Sequence, residues 1–197
     1  MSNKISARVL IVDNFDSYTW NIFQGVAQLT QVLPEVLLNN SLTGALNNLE
    51  RYTHIILGPG PGDPRTPTDV GAGYALLEKA RVPLLGVCLG HQMLAVHYGA
   101  TLQHLEQPAH GRVSTIRHNG TGLFQNLPPH TSVVRYHSIT VSDLGRSGLS
   151  PDAHTVDGDE IMGISDAAKR RYGVQFHPES ILTSDGQRML TNFLMLQ

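Results

Sequence analysis

VPLLGVCLGHQMLAVHY, residues 82–98, decides the fold. Val82–Val87 is short and continuously apolar, which predicts a strand buried on both faces, as in a parallel sheet. Gln92–Tyr98 reads as a helix opening straight after Cys88-Leu89-Gly90. The junction, Gly86-Val87-Cys88-Leu89-Gly90, has the form G-x-C-x-G, the sulfur version of a nucleophile elbow. A sharp strand-to-helix turn crowds the backbone on both sides of its tip, and glycine removes the Cβ clash. A free cysteine is usually a small buried hydrophobe. The flanking glycines and the helix start favour a nucleophile instead, because the positive end of a helix dipole favours a thiolate.

Outward from this turn, the elements alternate. Arg8–Asp13 reads as a strand, Thr19–Leu29 as a helix, Glu35–Leu38 as a second strand and Tyr52–Leu57 as a third. That third strand is stopped by Gly58-Pro59-Gly60-Pro61-Gly62-Asp63-Pro64, a rigid loop, and Asp69–Lys79 is predicted helical. The pattern is βαβα with buried parallel strands. From His110 the texture changes to shorter alternating runs, Arg112–Arg117, Ser132–Tyr136, Glu160–Ser165 and Tyr172–Phe176, read as partly antiparallel strands. Gly186–Leu196 closes as an amphipathic helix with Met189, Leu190, Phe193 and Leu194 on one face. The expected class is α/β: a mostly parallel sheet flanked by helices, with an additional partly antiparallel sheet, in one domain over residues 1–197.

Composition narrows the function. The 197 residues are 41% hydrophobic and 15% charged, which is globular rather than disordered. No apolar run approaches the roughly 20 residues of a membrane span. The opening MSNKISARVLIVDN carries only the apolar run Val9–Val12 and no small-residue cleavage site, which points to the cytoplasm rather than secretion. With 14 Lys+Arg against 16 Asp+Glu there is no basic field for nucleic acid. The single cysteine excludes an internal disulfide and a Cys-rich zinc site, and the 10 histidines show no metal-ligand spacing, so no metal is expected. His91 is read as packing or capping, and Asp16 or Ser17 as a helix cap beside Asp13.

A thiolate nucleophile needs a base and an orienter. His177-Pro178-Glu179 offers both: on an extended segment, residues two apart share a face with Cα atoms roughly 6–7 Å apart, so Glu179 can reach one imidazole nitrogen. The order Cys88, His177, Glu179 differs from the α/β-hydrolases, where the acid precedes the histidine. The Gly58–Pro64 loop adds a third element, because backbone N–H groups at Gly60 or Gly62 are free to face a developing oxyanion. Dinucleotide binding is excluded there because the G-x-G-x-x-G spacing is absent.

GVCLGHQ at 86–92, GPGPGDP at 58–64, RYHSI at 135–139 and GVQFHPES at 173–180 together resemble the class I (triad) glutamine amidotransferases, in order and spacing. Within them, GPGPGDP, RYHS, HPES and DNFDSYTWNIFQ at 13–24 are most similar to the glutaminase component of chorismate-aminating enzymes, anthranilate synthase and aminodeoxychorismate synthase. The resemblance implies Cys88 as nucleophile, His177 as general base and acid, and Glu179 as its orienter. It implies an oxyanion hole from the N–H groups of Gly60 and Leu89. Substrate glutamine would be bound by Gln92 and by backbone groups of Gly58, Ser138 and Ile139, where the subgroup usually has leucine at the last position. His110-Gly111-Arg112 stands where the family tends to have His-Gly-Lys.

The expected partner is a synthase subunit that aminates chorismate with the released ammonia; no cofactor is expected in this chain, and any Mg²⁺ would belong to the synthase. NIFQ, VAQL and the Gly-Asp-Pro-Arg run lean toward the aminodeoxychorismate type over anthranilate. The rivals are a stand-alone γ-glutamyl hydrolase and a non-catalytic regulatory subunit. The glycine-rich 58–62 loop is also read as able to hold two peptide orientations, a means by which a partner could set activity.

Overall fold

Apolar runs lay down β-strands at Val9–Asp13, His54–Leu57 and Leu84–Val87, and the order in which five short strands pair brings their carboxyl ends together. The structure is a computed structural model and describes residues 5–196. Residues 1–4, part of the opening read for a leader, lie outside the described residues. β1 (Val9–Asp13), β2 (Glu35–Leu38), β3 (His54–Leu57), β4 (Leu84–Val87) and β9 (Arg171–Val174) pair in parallel in the order β2-β1-β3-β4-β9. β8 (Ile161–Asp166), β7 (Ser150–Thr155), β5 (Thr101–His118) and β6 (His130–Asp143) continue the ladder antiparallel. The expected antiparallel strands are therefore hydrogen-bonded onto the parallel ones through β9 and β8, in a single nine-stranded sheet.

Side-chain alternation in β1 divides the core into two layers. Val9 and Ile11 face a cluster with Ile22 and Val26 of α1 (Thr19–Thr30) and Leu190 and Phe193 of α5 (Gly186–Leu194). Leu10 and Val12 face the other, with Leu76 of α3 (Gly73–Lys79) and Met93 and Leu94 of α4 (Leu89–His97). Burying a leucine or valine this fully contributes about 1.5–3 kcal/mol relative to exposure, so both layers are needed to hold strands of only four or five residues.

Departures from the expected elements have local causes. The Asp69–Lys79 helix is split into α2 (Pro67–Val70) and α3, because Gly71 takes φ 52° and a Cβ there would lie 2.6 Å from the Asn39 carbonyl oxygen. β7 was not foreseen: Pro151 and Asp152 are turn-forming residue types, but Pro151 sits at a register shift between β7 and β8, where a missing N–H is tolerated. β5 and β6 outrun their expected lengths for the same reason. Pro108 and Gly111 look like breakers, yet they fall in shifts between His104/Ala109 and His110/Arg112. α1 has Tyr18 as its cap residue and no side-chain cap; Asp16 Oδ1 instead accepts the Tyr18 N–H at 2.8 Å, one step ahead of the helix. Among the described residues no helix is long and apolar enough to cross a membrane.

Candidate active site

Loops that follow the carboxyl ends of β1, β3, β4 and β9 converge on one place, where open α/β sheets present their ligand sites. β4 ends at Val87 and α4 begins at Leu89, three residues earlier than the sequence suggested, so Cys88 alone makes the turn, at φ 52° and ψ −102°. The turn closes because a Cβ on Gly86 would lie 2.4 Å from the Gly90 carbonyl oxygen, and one on Gly90 would lie 2.0 Å from that of Leu57. Cys88 N–H is tied to Val174 O at 2.9 Å, which fixes the elbow against β9.

From β9 the chain delivers His177, whose Nδ1 lies 2.6 Å from Glu179 Oε1. Glu179 gets there differently from the expected strand alternation: Ser180 N–H bonds His177 O at 3.3 Å, so residues 177–180 form a turn. Proline's fixed φ favours such a turn at its second position, which Pro178 occupies. Both side chains are shut away from solvent, His177 at 2% and Glu179 at 0% exposure. The rings of Tyr18 and Tyr136 pack on the imidazole at 5.2 and 5.3 Å.

Burial is the largest influence on His177 and pulls its pKa down. The interactions with Cys88 and with Glu179 outweigh it, and the imidazole is pushed up to about 10. Its Nε2 is buried without a formed hydrogen bond, so Cys88 acts on it across a contact looser than a closed one, as is common before substrate binds. The imidazolium is then the neutral-pH form, and its stabilising contribution is present below the ordinary value of 6.5 and fades as pH rises through about 10.

A pocket of about 130 Å³ opens over the sulfur, lined by Gly60, Cys88, Gln92, Ser138 and Ile139 of the expected set, with His110, Tyr136 and His137 in addition. Leu89 stands against Gly60: its Cδ2 is 3.0 Å from where a Gly60 Cβ would be. As the first residue of α4 it has an N–H with no acceptor within the helix. Gly58 is not among the lining residues. Its N–H is given to Val12 O at 2.9 Å and its carbonyl accepts from Asn14 Nδ2 at 2.8 Å, so both groups already hold a bond within the protein. Ile139 O is also occupied, by Gln92 Nε2 at 2.8 Å and His137 Nδ1 at 2.9 Å.

This constellation is an elbow cysteine, a paired imidazole and a small polar pocket, an arrangement that thiol-dependent acyl transfer requires. Residues 10–196 match the family described as glutamine amidotransferase class-I. The chain belongs to that family. Among relatives of this amidotransferase, an aminodeoxychorismate synthase of Streptomyces pristinaespiralis is 44% identical over 95% of the chain, which spans 26% of that longer protein. Aminodeoxychorismate synthase component 2 of Serratia marcescens is 38% identical over 94% of the chain and 98% of its own length. Anthranilate synthase component 2 of Mycobacterium tuberculosis is 38% identical over 95% of the chain and 81% of its own length. The fold of a glutamine amidotransferase structure from Thermotoga maritima superposes with a TM-score of 0.75 at 20% identity, covering 87% of this chain and 76% of that one.

The amidotransferase site also holds residues that sequence reasoning missed. Gln175 Nε2 lies 3.8 Å from Cys88 Sγ. The two-residue spacing that selected Glu179 on one side of His177 would have selected Gln175 on the other. Arg135, 1% exposed, donates from Nε to His137 Nε2 at 3.0 Å and pairs with Glu160. His91 is fully buried against Gly173, and burial pulls it down to about 4, so it stays neutral and packs, as expected. Among the described residues no group of three or more His, Cys, Asp or Glu could hold a metal.

Proposed function

We propose that this chain is the glutaminase subunit of a chorismate-aminating synthase, with Cys88, His177 and Glu179 as its triad and L-glutamine as substrate. The observation that carries it is the closed His177–Glu179 pair beside the sulfur of an elbow cysteine, inside a family whose members transfer glutamine nitrogen. Cys88 sulfur attacks the side-chain amide carbon; the S–C bond forms and the carbonyl electron pair moves to oxygen, held by the N–H groups of Gly60 and Leu89. His177 gives its proton to nitrogen, the C–N bond breaks, and ammonia leaves. Having given that proton away, His177 is left as the neutral base, and the thioester sulfur no longer favours the imidazolium. It then takes a proton from water as the C–O bond forms, and the C–S bond breaks to release glutamate. One buried histidine thus serves first as acid and then as base.

Glutamine binding is assigned to Gln92 Oε1, since its amide nitrogen is committed to Ile139 O and Gln175 Oε1, and to the exposed Ser138. The whole chain acts as one cytoplasmic glutaminase unit without a cofactor of its own, and Mg²⁺ belongs to the synthase. Similarity to aminodeoxychorismate synthases favours that product, and product analysis from chorismate plus glutamine in the reconstituted complex separates it from anthranilate. A partner is further supported by exposed apolar side chains near the triad. Ile181 is 98% and Leu182 50% exposed, on a groove of about 620 Å³ that also includes Glu179 and Tyr18.

Glu179→Gln is expected to lower glutamine-dependent turnover by about 10²-fold, because an orienting group assists the acid and base without forming the bond. A loss equal to that of removing the sulfur would give Glu179 a larger role. The isolated chain is expected to be a poor glutaminase, raised about 10²–10³-fold by its synthase, the value of one oxyanion donor. The Gly58–Gly62 loop is the element to be set: it is fastened at Gly58 and, through Asp69 Oδ2 accepting the Asp63 N–H at 2.9 Å, at its far end, which leaves the peptides between as the adjustable part. Rates at saturating glutamine with and without partner test this, and equal rates remove the gating.

A further inference from the structure

Beneath the triad, a chain of buried hydrogen bonds runs from a guanidinium to the nucleophile, and each link has only one possible direction. Arg135 can only donate, so His137 Nε2, 3.0 Å from Arg135 Nε, must accept. The proton of neutral His137 is then on Nδ1, which donates to Ile139 O at 2.9 Å. A carbonyl can only accept, so the Gln92 atom 2.8 Å from Ile139 O is the amide nitrogen. Its second hydrogen points to Gln175 Oε1 at 3.2 Å. The far side of the Gln175 amide, 3.8 Å from Cys88 Sγ, is therefore its NH₂ group. Gln175 is 0% exposed and Gln92 3%, so these bonds lie away from bulk solvent.

We infer that Gln175 is a further catalytic residue of the glutaminase reaction: a fixed amide donor to the Cys88 sulfur, aimed by the Arg135–His137–Ile139–Gln92 chain. This rests on the triad reading. The sulfur's other polar neighbour on the sheet, Tyr136 O at 3.9 Å, can only accept and so suits the thiol alone. Gln175 is the neutral donor that favours the anion, both in the resting enzyme and when the C–S bond breaks and the electron pair returns to sulfur. It does so without a charge of its own, and unlike His177 it neither gives nor takes a proton during turnover. The titratable groups facing the sulfur are His177, with Glu179 behind it and the Tyr18 and Tyr136 rings on its faces; Arg135 and Glu160 lie at the remote end of the chain.

The test uses the full chain, in which Cys88 is the one cysteine, so alkylation by iodoacetamide reports it alone. Gln175→Leu is expected to move the midpoint of the pH–alkylation profile upward by about one pH unit or more, the size of losing one hydrogen bond to a charged group. Glutaminase kcat, measured with the synthase present, should fall about tenfold or more while KM changes less. Gln175→Glu, which keeps the shape but turns an acceptor toward sulfur, should be at least as impaired. An unmoved midpoint in a folded variant, by near-ultraviolet circular dichroism, overturns the assignment while leaving the triad intact. If the leucine variant does not fold, Gln175→Met carries the same reading. In the wild-type chain the Gln175 side-chain amide resonances should shift when Cys88 is alkylated, and signals that stay in place also overturn it. Cys88 that is inert to iodoacetamide at every pH would instead count against the triad itself.

Discussion

Cys88→Ser is expected to abolish glutamine-dependent amination in the complex reconstituted with its synthase, while amination driven by added ammonia continues at the wild-type rate. A hydroxyl is a far weaker nucleophile than a thiol at neutral pH, and the His177–Glu179 pair cannot make up that difference. Loss of the nucleophile alone typically removes most of the acceleration a triad provides, because its members act as a unit. The ammonia-driven rate is the internal control, since it needs the synthase and a folded partner but no acyl-enzyme. Glutamine-dependent turnover near the wild-type level would sink the nucleophile assignment.

The second large effect is on stability. Arg135→Leu is expected to cost about 3 kcal/mol, at the low end for breaking a buried ion pair because Glu160 is 26% exposed and can turn to water. It also strips His137 Nε2 and Ser114 Oγ of their donor, at 3.0 and 3.3 Å. In a chain of this size the melting temperature should fall by about 6–12 °C. Glutamine KM should rise as well, since His137 and Ile139 line the pocket. Thermal and urea unfolding measure the first, and a loss under about 1 kcal/mol would mean that the network is not structurally important.

What could be read from the sequence was local. The elbow at 86–90 and the His177–Glu179 spacing depend on neighbours within a few residues, and they stand where expected. Glu179 arrived by a Pro178 turn rather than strand alternation, which shows that the right pair can be chosen with the wrong backbone. β9, read among the partly antiparallel strands, lies parallel to β4; Arg171 and Tyr172 hid its place in the parallel set. β1, β3 and β4 were legible because they are buried throughout and read as apolar runs. β7 was not, because the rule that proline ends a strand fails at a register shift. Glu160, Arg135 and Gln92 were invisible as a set: Arg135 and Glu160 are 25 residues apart, and Gln92 and Gln175 are 83. No periodicity spans such distances; only the strand order brings them together.

The backbone at Cys88 carries one more consequence, for anyone who would improve this protein. A side chain held at φ 52° and ψ −102° is uphill by about 1–3 kcal/mol, a cost that glycine alone would escape. Every directed search for heat resistance that scores folding without scoring turnover will therefore drift toward glycine at position 88. It will be rewarded for erasing the reaction. Durability and reactivity are in direct competition at this residue, so a screen for a hardier variant must select on ammonia release from the first round.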